Sequence, residues 1–101
     1  APPAETFQST GEGARVIGER IRFRYRNASA RKVLVALYLS RTNLIFKEMT
    51  RDGDLWELNF PTNPGRYRYS LVVDGRWMLD PGNPRKMSDG LGGWNSVVRI
   101  P

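Results

Sequence analysis

Side chains that could carry out catalysis are scarce in this sequence of 101 residues. It contains no histidine and no cysteine, which removes the commonest general base and metal ligand and every Ser-His or Cys-His nucleophile pair. Asp80 has no second carboxylate at a spacing typical of a glycosidase pair. The run Gly90-Leu91-Gly92-Gly93 lacks the lysine and the helix of a phosphate-binding loop. We therefore predict no catalytic residue, no metal site and no cofactor.

The chain is basic, with a net charge of +6 and a pI near 10.3. One basic run, Arg20–Arg26, alternates arginine with Ile21, Phe23 and Tyr25. This period of two predicts a strand with one face on the core and a solvated basic face. The alternative is an anion-binding stripe, whose affinity would fall steeply with salt. The other basic residues are spread along the chain, so nucleic acid is not predicted as a partner.

A single tryptophan stands just beyond a predicted hairpin turn in residues 66–84. Tyr67, Tyr69, Leu71 and Val73 alternate with other residues and predict a half-buried strand. The dipeptide Asp74-Gly75 supplies the positive φ angles of a tight hairpin turn. Residues 76–79 then form the return strand, and the Asp80-Pro81-Gly82 turn ends it. An indole so near a turn is hard to bury, so we predict that Trp77 is exposed.

The positions of the strands depend on the same period of two. Further strands are predicted over residues 31–39, 44–51, 55–60 and 94–101. Trp56 is predicted to pack between the sheets, and residues 85–93 are predicted to form a flexible connection. Turn signals recur every ~8–12 residues, and no helix is predicted. About seven short strands in a chain of this length indicate an all-β, immunoglobulin-like sandwich.

The organisation predicted along the chain is simple. Residues 1–14 are small, polar and rich in Pro and Gly, which is typical of a flexible linker or terminus. Residues 15–101 form one domain. No apolar run reaches the ~20 residues of a membrane helix, so no membrane span is predicted in this fragment. We expect the sequence to be part of a longer protein, whose remaining chain would be a natural partner.

Several short motifs follow one another in a specific order: Pro64-Gly65-Arg66-Tyr67-Arg68-Tyr69, Val73-Asp74-Gly75-Arg76-Trp77, Asp80-Pro81 and Asn95-Ser96-Val97-Val98. This order resembles carbohydrate-binding module family 48. This family includes the glycogen-binding domain of the AMP-activated protein kinase β subunit and the N-terminal early-set domains of isoamylases. The resemblance covers roughly four fifths of the chain, and no single motif would be specific by itself.

The resemblance implies an early-set sandwich that binds α-glucan chains such as glycogen or starch. Trp77 occupies the position of a stacking tryptophan of the family, and Leu91 and Asn95 occupy the positions of a glucan-contacting leucine and asparagine. Stacking of a sugar on tryptophan is physically favourable, because sugar rings offer apolar C–H faces to flat indoles while their hydroxyls need polar partners.

Two positions depart from the family pattern. Thr42 stands near where the family has its other stacking tryptophan, and Ser70 stands where it has a lysine. Trp94 could supply a second platform, and Arg68 and Arg76 could bond to sugar hydroxyls.

Two hypotheses follow, besides a third in which the Arg20–Arg26 stripe makes the chain a basic module that binds polyanions. The first is a non-catalytic module that binds an α-glucan and is appended to a larger protein. The second is a degenerate relative that acts as a structural or protein-interaction domain without sugar binding.

Overall fold

The computed structural model describes residues 12–101, and the structural statements below concern this part of the chain. It consists of ten strands and no helix, in two antiparallel sheets. The strands are β1 (Gly13–Ile17), β2 (Arg20–Arg26), β3 (Val33–Tyr38), β4 (Leu44–Glu48), β5 (Thr50–Asp52), β6 (Leu55–Pro61), β7 (Gly65–Val73), β8 (Arg76–Met78), β9 (Lys86–Ser88) and β10 (Trp94–Ile100). The predicted all-β sandwich is confirmed.

The two sheets have different strand orders. The first sheet runs β1-β2-β6-β5, and the second runs β4-β3-β7-β10-β9, with the short β8 also paired to β7. All pairings are antiparallel. No helix among the described residues combines the length and the hydropathy needed to cross a membrane.

The core lies between the sheets and is built by the predicted alternation. Ile21 and Phe23 of β2 are buried on the inner face of the first sheet, and Tyr69 and Leu71 of β7 face them from the second. The rings of Phe23 and Tyr69 meet edge to face at 4.9 Å, an arrangement that aromatic pairs prefer. Trp56 is buried as predicted, and its Nε1–H donates to the Asn27 carbonyl at 2.9 Å.

The β7–β8 hairpin has the predicted tight turn. Asp74 and Gly75 have φ angles of 51° and 84°, the signature of a turn with two left-handed central residues. The Asp74 carboxylate also accepts hydrogen bonds from the backbone N–H groups of Arg31 and Lys32, at 2.9 and 2.8 Å. The turn is therefore anchored to the loop that leads into β3.

The number of strands is ten rather than about seven, because three additional strands are present. The predicted strand 44–51 is broken at Met49, which is buried in the core and whose N–H donates to the Val33 carbonyl at 2.9 Å. As a result β4 joins the second sheet and β5 joins the first. The predicted connection 85–93 contains β9, which is ordered by pairing with β10.

The third additional strand, β1, begins near the predicted end of the N-terminal linker. It starts at Gly13 and so includes the last two residues of the predicted linker 1–14; residues 1–11 lie outside the described part of the chain. A Cβ atom on Gly13 would come within 2.4 Å of the Gly82 carbonyl oxygen. Glycine is needed there because the two backbones touch.

Candidate functional site

A groove on the outer face of the second sheet brings several predicted site residues together. In β7 the inner face takes Tyr69 and Leu71, so Ser70 and Val72 face outward. Trp77 of β8 is paired with Val72 and lies on the same outer face. The resulting groove, which we call the tryptophan groove, has a volume of about 310 Å³. It is lined by Tyr38, Ser70, Trp77, Met78, Leu79, Asp89, Gly93, Trp94 and Asn95.

Two half-exposed indoles flank the tryptophan groove. Trp77 and Trp94 leave 51% and 52% of their surfaces in solvent. The ring of Phe46 meets Trp77 edge to face at 5.7 Å, and the Lys86 ammonium lies 5.0 Å from the Trp94 ring centroid. These contacts restrain each indole while much of its surface stays accessible, which is the geometry of a stacking platform.

The polar part of the groove lies on the two strands at its centre. Asn95 of β10 is buried, and its Nδ2 donates to Ser70 Oγ of β7 at 3.2 Å. The Asn95 Oδ1 atom is also buried and accepts no hydrogen bond from the described residues. A buried acceptor without a donor costs free energy. A ligand hydroxyl or amide could donate to Oδ1 only if neighbouring side chains moved to expose this atom.

Charged groups border the groove on one side. The Arg68 guanidinium lies 4.9 Å from the ring centroid of Tyr38. Asp89 Oδ1 accepts from the N–H groups of Leu91 and Gly93 at 2.7 and 3.0 Å. These two hydrogen bonds lower the pKa of Asp89, and the nearby Arg68 charge lowers it further. Asp89 therefore restrains the 89–93 loop by accepting these two hydrogen bonds.

A buried polar network supports the hairpin from the core side. The Tyr69 hydroxyl donates to Asp80 Oδ2 at 2.6 Å, and the Gly82 N–H donates to Asp80 Oδ1 at 3.0 Å. The Asp80 N–H donates to Ser96 Oγ at 2.9 Å. Burial raises the pKa of Asp80, although the Tyr69 hydrogen bond opposes this, and burial also raises the pKa of Tyr69. The network joins the end of β8 to β7 and β10.

The predicted site residues divide into those at the groove and those away from it. Trp77, Trp94 and Asn95 line the groove, and Arg68 contacts its lining residue Tyr38. Leu91 is 90% exposed at the tip of the adjoining 89–93 loop.

Arg76 is not brought to the groove. It lines a separate cavity with Tyr25 and Asn27, because successive residues of β8 point to opposite faces.

Sequence reasoning missed three side chains at or near the groove: Tyr38, Phe46 and Lys86. Tyr38 and Phe46 lie on β3 and β4, on the outer face of the second sheet. The alternation of β3 and β4 indicates which of their residues share a face, but only the strand order places Tyr38 and Phe46 beside Trp77. Among residues 12–101, no three His, Cys, Asp or Glu side chains are grouped to hold a metal ion.

Comparisons with known proteins show relationships at the level of the fold. No protein-family model and no curated protein matches the sequence. Among solved structures, the pullulanase of Anoxybacillus sp. LM18-11, determined with maltotetraose, matches 87% of this chain at 22% identity and a TM-score of 0.72. The type I pullulanase of Bacillus subtilis, determined with maltose, matches 89% at 18% identity and a TM-score of 0.71.

The same fold occurs in a different class of enzyme. The enterobactin esterase of Shigella flexneri matches 96% of this chain at 18% identity and a TM-score of 0.71. The chain spans 13% of the Anoxybacillus pullulanase and 35% of the esterase. It is therefore similar in fold to a small part of each of these larger enzymes.

Proposed function

We propose that this chain is a non-catalytic module that binds an α-glucan chain in the tryptophan groove. One observation carries the proposal: Trp77, Trp94 and the buried amide of Asn95, which come from two separate parts of the sequence, line one groove. Two indoles offer flat apolar faces for sugar rings, and the Asn95 amide is among the polar groups that line the groove.

The binding should be of modest strength. The groove is open, so stacking removes only part of each indole and each sugar ring from water. Each sugar hydroxyl also exchanges a hydrogen bond to water for one to protein, which contributes little net free energy. An affinity in the micromolar to millimolar range, about −8 to −4 kcal/mol, follows from such a site.

The comparisons support a role as an appended module. The pullulanase structures that share the fold were determined with maltose, maltotriose and maltotetraose. The matched region is 13% of the Anoxybacillus pullulanase, which suits a small domain joined to a larger chain. In this proposal the module localises a parent protein on an oligosaccharide or polysaccharide, and the parent chain carries any catalysis.

A second candidate function is that of a structural or protein-interaction domain without sugar binding. The enterobactin esterase match favours it, because the same fold occurs there outside the starch-active enzymes. A second groove, of about 770 Å³, lies where the β1–β2 and β6–β7 turns meet. Its lining includes Ile17, Leu39 and Phe60, and Ile17 is an exposed apolar side chain of the kind that protein interfaces cover.

Tryptophan fluorescence during titration separates the two candidates. A linear malto-oligosaccharide and β-cyclodextrin are added at low salt and again at high salt. Binding in the tryptophan groove gives a saturable change at both ionic strengths, because stacking of a neutral sugar depends little on screening. The absence of any change at millimolar sugar contradicts α-glucan binding and favours the interaction domain.

A further inference from the structure

Two arginines stand directly opposite each other on the outer face of the second sheet, the face that also carries the tryptophan groove. Arg66 of β7 and Arg99 of β10 are Cα partners in the sheet register, and both are exposed. Their neighbours Tyr67 and Val98 are buried in the core, so both guanidinium groups lie on the outer face. Like charges placed directly opposite on one face destabilise a sheet.

No carboxylate among residues 12–101 forms an ion pair with this arginine pair. The two ion pairs of the described chain, Arg24–Glu57 and Arg26–Asp54, both lie on the first sheet. Arg24 and Arg26 of β2 thus have acidic partners on a neighbouring strand or in the turn beside it, whereas Arg66 and Arg99 have none within 4 Å among the described residues. The second sheet keeps a concentrated positive charge at a cost in stability.

The arginine pair is aligned with the centre of the groove. Arg66 precedes Ser70 by four residues along β7, and Arg99 follows Asn95 by four residues along β10, which places the pair about 13 Å from these groove residues. Arg68 lies on the same face midway between Arg66 and Ser70. A linear ligand that leaves the groove along these strands passes Arg68 and reaches the pair.

We propose that Arg66 and Arg99 bind a phosphate monoester on the glycan held in the tryptophan groove; this inference rests on the proposed function. A phosphate monoester carries a charge of about −1.5 to −2 at neutral pH, which matches two facing guanidinium groups. The planar fork of arginine also bonds phosphate oxygens in pairs. A carboxylate carries a single charge and would leave one arginine without a counter-charge.

The test compares three malto-oligosaccharides of one length, each long enough to extend about 13 Å beyond the groove. One is neutral, one carries a single phosphate monoester, and one carries a single carboxylate in its place. By titration calorimetry at low salt, the phosphorylated sugar binds at least tenfold more tightly than the neutral one. This advantage shrinks as salt is added, whereas the affinity of the neutral sugar stays unchanged.

A matched pair of variants tests the location. Arg66→Gln removes one member of the pair, and the phosphate advantage falls to less than threefold while the neutral sugar binds as before. Arg15→Gln is the control, because Arg15 also stands opposite an arginine, Arg22, but on the first sheet. It changes the net charge equally and leaves the phosphate advantage intact.

Each contrary outcome has its own meaning. If the neutral and phosphorylated sugars bind equally, the phosphate site is wrong and the glycan function stands. If the carboxylated sugar matches the phosphorylated one, or if Arg15→Gln weakens phosphate binding as much as Arg66→Gln, the assignment of phosphate to this pair is overturned. If none of the three sugars binds, the proposed function itself fails.

Discussion

At the scale of single residues, the contacts that Trp77 and Trp94 make explain why both indoles remain accessible to solvent. Phe46 touches one indole through a ring edge and Lys86 lies over the other, so neither indole is enclosed by the core. Trp56 differs because it lies on the inner face and donates to the Asn27 carbonyl. The same residue type therefore serves as a platform in two places and as core packing in the third.

Replacement of either platform should weaken glycan binding without unfolding the domain. We expect Trp77→Ala and Trp94→Ala each to reduce affinity for a malto-oligosaccharide about tenfold, or ~1.4 kcal/mol, by calorimetry. Ile17→Ala is the control, since Ile17 is similarly exposed at 47% but lines the other groove. Unchanged affinity in a folded Trp77→Ala protein would reject the tryptophan groove as the site.

Asp80 should make stability depend on pH in a specific direction. Burial raises its pKa above the value in the unfolded chain, so the folded state binds the proton more tightly. Its contribution is fully present below the unfolded pKa and is lost as pH rises through the folded pKa. We expect the stability of wild type relative to Asp80→Asn to fall as pH rises above about 4, the ordinary pKa of an aspartate.

Urea denaturation of both proteins at several pH values measures this difference. Asp89 has a lowered pKa, so its effect on the pH dependence of stability has the opposite sign. It is present in both proteins, and its contribution cancels in the difference between them. A difference in free energy of unfolding that stays constant with pH would contradict the prediction. Tyr69 keeps its proton throughout because its own pKa is raised.

At the scale of elements, the Asp89 carboxylate holds the 89–93 loop together with two further hydrogen bonds, from Gly90 N–H to Ser88 Oγ and from Asp89 N–H to the Gly93 carbonyl. Asp89→Ala removes the acceptor for the Leu91 and Gly93 N–H groups, so we expect faster amide exchange at both residues and a severalfold weaker affinity for malto-oligosaccharide. Asp89→Asn keeps an acceptor oxygen and should lose much less. Equal losses in the two variants would mean that the charge, and not loop geometry, supports binding.

Local sequence predicted some elements well and others not at all. The β7–β8 hairpin was predictable because Asp74-Gly75 demands a tight turn and the flanking alternation is unbroken. The strand β9 has only three residues and no local signal, and it exists because it pairs with β10. The break of the predicted strand 44–51 at Met49 also had no local signal, because it depends on space for that side chain between the sheets.

At the scale of the whole molecule, the charge distribution should make the fold sensitive to salt. The net charge is +6, and two arginine pairs, Arg15–Arg22 and Arg66–Arg99, face each other across strands. Raising NaCl from about 10 mM to about 0.5 M screens this repulsion. We expect a gain of ~1 kcal/mol, seen as a rise in Tm of roughly 4–8 °C.

The Arg66→Gln protein provides the comparison for this salt effect. With one facing arginine removed, its Tm at low salt should be higher than that of the wild type, and the gain on adding NaCl should be smaller. A wild-type Tm that falls with NaCl would show that attractive charge pairs outweigh the repulsive ones.

The sequence by itself determined the period of the strands, and with it the faces on which side chains lie. That information is local, because in a strand each residue points opposite to the one before it. It was sufficient for the sandwich class, the burial of Trp56 and the exposure of Trp77. The same alternation separates Arg76 from Trp77, but the prediction of Arg76 as a site residue did not use it. Only the tertiary structure decided which outer-face residues become neighbours. Tyr38, Phe46, Ser70 and Asn95 come from four different strands, and strand order depends on how the whole core packs.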